Sequence, residues 1–147
     1  MHRWSRASAS AAAWALLCVA APTSLAQPEA PGPAHPVEGA SGDAAQRVDE
    51  LDALLREARF DEVVERADRL REELDAAGEG ADLRRLRVRL EVAAATAEVA
   101  LDRPQAARDA FRRALAAEPA LDLAPEATAP KVLRVFRTVR AEARAQR

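Results

Sequence analysis

The chain has 147 residues, with 24 acidic and 22 basic side chains and a formal charge of −2, enough for one small domain. From Gln46 onward it holds no His, Cys, Ser, Tyr, Trp or Asn, leaving carboxylates, three threonines and Lys131 as its reactive groups. Nucleophilic and acid–base catalysis draw mainly on the missing types, so the composition argues against an enzyme and offers no thiolate or imidazole to a metal or cofactor.

The first 26 residues read as an export signal. "MHRWSR" is a short basic region, Ala7 to Ala21 is an apolar run, and "SLA" before Gln27 has small residues at both cleavage positions. Cleavage is therefore expected after Ala26, in a periplasmic protein. The run is too short, and Pro22 too close, for a comfortable membrane span of about 20 residues. A lipoprotein reading would use Cys18, but it needs a small residue where Leu17 stands. Loss of the leader would remove Cys18, both tryptophans, and Arg3 and Arg6, taking the formal charge from −2 to −4.

Residues 27–45, "QPEAPGPAHPVEGASGDAA", hold four prolines and three glycines and read as a flexible linker. The spacing then becomes helical and predicts an all-α domain over 46–147 with five helices. Val48, Leu51, Leu54, Leu55 and Ala58 share a face of a helix over 46–58. A turn at Arg59-Phe60 follows, with Asp61 suited to cap a helix over 61–76, whose stripe is Val63, Val64, Ala67, Leu70 and Leu74. Gly78 and Gly80 end it. Asp82 is suited to cap a third helix over 82–101, with Leu83, Leu86, Leu90, Ala93, Ala94, Ala97 and Leu101 on one face.

Asp102-Arg103 then makes a tight turn, and Pro104 opens a helix over 104–117, where a missing N–H costs nothing. Ala107, Ala110, Phe111, Ala114 and Leu115 form its apolar face, the alanines admitting a close neighbour and Phe111 filling the gap. Pro119 blocks continuation. After a connector bracketed by Pro125 and Pro130, a last helix over 130–145 carries Val132, Val135, Phe136, Val139 and Ala143 on one side.

Ala107, Phe111, Ala114 and Pro119 resemble the small–aromatic–small–proline spacing in the second helix of the tetratricopeptide repeat, with Ala95 at the small position of the first. Glu91 and Glu98 stand where that family has tryptophan and tyrosine. "REARFDEVVERADRL" (56–70) is a weaker copy, with Val63, Ala67 and Leu70 in place of the trio. The two turns lie 44 residues apart against the family's 34, so a longer third helix or preceding loop is expected. The resemblance covers about residues 46–119 and implies two helical hairpins; the last helix fits the cap such arrays need. Residues 118–144 are also similar to tails that follow such repeats in exported proteins of high-GC Gram-negative bacteria.

Charge is unevenly distributed. Residues 49–82 hold thirteen acids against five arginines, and residues 127–147 hold six bases against Glu142 alone. Asp49, Glu50, Asp52, Asp61, Glu62 and Glu65 lack the spacing and mid-loop glycine of a calcium loop, and paired carboxylates without Trp or Tyr make a poor sugar site. "RRLRVR" (84–89) suggests nucleic acid, but the acidic half and the absence of interleaved aromatics oppose it.

The sharpest candidate is the last helix. Arg134, Arg137, Arg140 and Arg144 lie roughly opposite its apolar sector, with Leu133 among them as an exposed apolar contact. This face is expected to dock an acidic protein partner or an anionic lipid surface, or to be a solvated outer side of the cap. The resulting expectation is a non-catalytic interaction or scaffold module of the cell envelope, whose helical surface holds an envelope protein or a peptide; the alternative is a structural protein that pairs with itself. No cofactor, metal or nucleic acid is expected.

Overall fold

The structure, a computed structural model, describes residues 38–146 and is all-helical there. The expected leader and its cleavage site lie outside the described residues. Five helices run in order: α1 (Glu38–Arg56), α2 (Phe60–Ala76), α3 (Ala81–Ala100), α4 (Pro104–Ala117) and α5 (Pro130–Ala145).

The start of α1 corrects the expected linker boundary at 45, because the helix already includes residues 38–45. Ala44, Val48, Leu51 and Leu55 form an i, i+4, i+7, i+11 row; Ala44 is buried and Leu55 partly so. The apolar stripe thus continues upstream through alanine, where the neighbouring glycines mask it.

The turns after α1 and α3 are built alike. After α1, the N–H of Glu57 donates to Ala53 O, Ala58 to Leu55 O, and Arg59 to Leu54 O. After α3, the same three bonds run from Leu101 to Ala97, Asp102 to Val99, and Arg103 to Glu98. Each bond of the second set is the first moved by 44 residues. This is a Schellman ending, in which one left-handed residue turns the chain and satisfies the last carbonyls. Ala58 (φ 58°) and Asp102 (φ 59°) take that conformation. Ala58 is therefore an exposed turn residue, not part of the apolar face of α1.

The same geometry corrects two expected caps. Arg59 occupies the cap position of α2 and Gly80 that of α3, with no side-chain cap bond at either. Asp61 and Asp82 lie inside the first turns, where their charge faces the positive helix end. Arg59 falls at the cap because the Schellman turn has already fixed its backbone. At the other end of α2, Gly78 sits just past the cap residue with φ 87°, a conformation glycine adopts without strain. Arg87 Nη2 reaches back to the carbonyls of Leu74 (2.5 Å) and Gly78 (2.8 Å), satisfying acceptors that the helix end leaves open. Pro104 and Pro130 open α4 and α5, and Glu118, before Pro119, closes α4 in an extended conformation.

Packing follows from the small residues of α3. Ala93, Ala94, Ala95 and Ala97 are all buried, so neighbours approach closely from several sides, and α3 touches each of the other four helices. Its interface with α4 is the most extensive; α2 and α4 do not touch, nor do α1 and α5. The 44-residue interval is filled by a 17-residue α2, four loop residues, a 20-residue α3 and the three-residue turn after it, so the extra length lies mainly in helix. Positions one interval apart are buried in pairs: Val63 with Ala107, Ala67 with Phe111, and Leu70 with Ala114. One continuous core results. Phe111 packs edge-on to Phe136 of α5, with ring centroids 5.3 Å apart at 66°, which ties the last helix to α4.

Candidate partner-binding surfaces

On α5 the expected stripe divides. Arg134, Arg137 and Arg144 are exposed and have no ion-pair partner among the described residues. Arg140 is different: its side chain is 22% exposed, Nη1 lies 2.6 Å from Asp122 of the connector, and its guanidinium stands 5.9 Å above the Phe136 ring. It belongs to the packing of the connector and not to a free surface.

Leu133 overturns the expectation of an exposed apolar contact, since it is buried at 8% exposure. At about 100° per residue it stands about 60° from Phe136 and about 20° from Arg140. The covered sector of α5 is wider than its five apolar residues imply, because the connector that binds Arg140 lies on that side. The outward face left on α5 is polar along its middle apart from Ala141, with Pro130 and Ala145 exposed at its two ends.

Most other charges are neutralised in place. Arg89 of α3 spans Asp49 (2.7 Å) and Asp52 (2.6 Å) of α1, and those two hydrogen bonds raise its pKa. Glu50 and Glu62 pair with Arg66, Glu65 with Arg69, and Asp61 with Arg103. The carboxylates weighed as a cation site are thus each matched by arginine, and no metal-holding cluster occurs among the described residues. In the basic run of 84–89, Arg87 and Arg89 are consumed internally, and only Arg84 and Arg85 face outward without a close partner.

Two side chains that the sequence marked only as departures form the most buried polar feature. Glu91 and Glu98 are 4% and 9% exposed, on the α3 floor of a trough walled by α2 and α4. Arg71 of α2 grips Glu91 through Nε at 2.6 Å and Nη2 at 3.3 Å, and Arg113 of α4 pairs with it at 3.0 Å. Burial alone would lower the Arg71 pKa, but hydrogen bonds to Glu91 and Asp68 outweigh it and the pKa is raised. The three side chains bridge two helices that otherwise do not meet. Glu98 Oε2 has no hydrogen-bond partner among the described residues; Arg103 Nη1 stands 3.7 Å away. An open stretch of the trough, about 240 Å³, lies beside Glu98, Asp68 and Asp109. The signal was present in the sequence: Arg87, Glu91, Ala94 and Glu98 share one helical row flanked by small apolar residues, so charges there face a neighbour.

Two of the three threonines and the one lysine that composition left are also engaged. Thr96 and Thr138 donate to carbonyls of their own helices, and Lys131 lies 2.9 Å from Asp102. No described helix is long and apolar enough to cross a membrane. The chain matches no family model, and no curated protein or solved structure was found to match it.

Proposed function

We propose that this chain is a non-catalytic interaction module of a bacterial cell envelope, exported by its leader and built as a degenerate tetratricopeptide-like repeat. The 44-residue recurrence of the turn hydrogen bonds supports the repeat reading, since each hairpin supplies a face the next must cover. The residue types and the in-place pairing of most carboxylates with arginine or Lys131 favour a binding role over chemistry.

The observation that carries the docking assignment is the α5 face. In a molecule where arginines are otherwise mostly matched, Arg134, Arg137 and Arg144 point outward without partners among the described residues. Such charges set association rate and salt sensitivity. Capture from envelope extracts should therefore lose its partner with R134Q/R137Q/R144Q, with Arg140 left intact because it holds the connector. Equal recovery of every captured protein by this variant would remove the docking role. Mass spectrometry of the native N-terminus tests export, with Gln27 as the expected first residue.

A further inference from the structure

We propose that the acidic surface docked by α5 is the outer face of α2 in a second copy of the same chain. The inference rests on reading α5 as a docking face and identifies what that face meets.

Along α2, Asp61, Glu65, Asp68, Glu72 and Asp75 are all exposed. At about 100° per residue they fall within an arc of about 80°. On α5, Arg134, Arg137, Ala141 and Arg144 occupy an arc of the same width. Both rows step by three, four and three residues: 65, 68, 72, 75 on one helix and 134, 137, 141, 144 on the other. Each row therefore spans about 15 Å.

Laid antiparallel, the rows place Arg144 against Glu65, Arg137 against Glu72, and Arg134 against Asp75. Ala141 then falls opposite Asp68, the acid already engaged by Arg71. Glu72, which receives Arg137, has no ion-pair partner among the described residues. Glu65 has only the exposed contact of Arg69 at 3.2 Å, and Asp75 only a 3.6 Å contact with Arg87, whose side chain is 24% exposed. The first is weak because it is exposed and the second because it is long, so an incoming arginine displaces or shares them at small cost. Antiparallel helix dipoles also attract.

The two rows cannot meet within one molecule, since α2 and α5 make no contact. The partner of each is then on another chain, and the interface is heterologous: the surface each copy offers differs from the one it uses. Such contacts continue as open chains unless their rotation closes a ring.

Sedimentation velocity of the purified chain tests this. At about 20 mM salt the mean mass should rise with concentration beyond a dimer, and at about 0.5 M salt it should return to the monomer. R134Q/R137Q/R144Q and E65Q/E72Q/D75N should each weaken association by about tenfold or more. A chain with both rows reversed, R134E/R137E/R144E with E65K/E72K/D75K, keeps the wild-type net charge and should associate again. Circular dichroism confirms that each variant is folded; should the reversed chain not fold, the two neutral variants still decide. A monomer at every concentration in low salt would overturn the proposal, as would association that survives both neutral variants. If envelope capture succeeds through α5 while the purified chain stays monomeric, the self-docking inference fails and the docking reading stands.

Discussion

Replacing Phe111 by Ala removes a ring that is fully buried, on the helix where α3 and α5 both pack. Burial of such a side chain is worth about 1.5–3 kcal/mol. Its edge-on contact with Phe136 adds about 0.5–1.5 kcal/mol. The void left beside Ala110 and Ala114 cannot close easily, because both are already small and helix-bound, so the total should reach about 3–5 kcal/mol. For a domain of this size that lowers the melting temperature by roughly 15 °C or more. The loss should be uneven. Phe136 would lose its ring partner, so amides in α5 should exchange faster than those of α3, and the α5 arginines would no longer be held in place. Thermal unfolding followed by circular dichroism, with hydrogen exchange, measures both. A variant that melts with the wild type would refute the wedge role of Phe111.

Other expectations follow from single sites. Ala58→Gly relieves left-handed strain of about 1–2 kcal/mol, less about 0.4–1 kcal/mol of added freedom in the unfolded chain, for a net gain of about 0.5–1 kcal/mol in urea unfolding. Glu91→Gln leaves Arg71 and Arg113 without their shared carboxylate; a fully buried pair would lose about 3–5 kcal/mol, but these guanidiniums are 23% and 46% exposed, so about 1–3 kcal/mol is expected by the same assay. The hydrogen bond from Lys131 holds the Asp102 carboxyl below the usual carboxylate range, and Lys131→Met should return it there in a carbon-13 titration. Because that pKa is depressed, its contribution to stability is present above about pH 4 and fades as the pH falls through the folded value.

The helices were legible because Leu, Val and Ala recur at helical spacing, and α4 and α5 span the residues their patterns indicate. Where expectation and structure part, the cause is a local turn or row that glycine and proline hide, or a partner distant in sequence. Ala44 belongs to a helix because Val48 and Leu51 extend its row, yet glycine and proline nearby read as linker. Leu133 reads as exposed until the connector is placed over Arg140. Glu91 reads as a departure from an aromatic position until Arg71 and Arg113, from two other helices, converge on it. On α5 the sequence located the arginines correctly but not that one of the four is spoken for.

The placement of α3 has a consequence for how the chain folds. Since α1, α2, α4 and α5 are joined to one another only as neighbours in sequence or through α3, a nucleus that omits α3 cannot grow. The most extensive interface, α3 with α4, joins helices separated by a three-residue turn, so it forms with little loss of chain entropy. The hairpin before it and the helix after it can then add in either order. Substitutions in the alanine run of α3 should slow folding, whereas those in α1 or α5 should chiefly hasten unfolding.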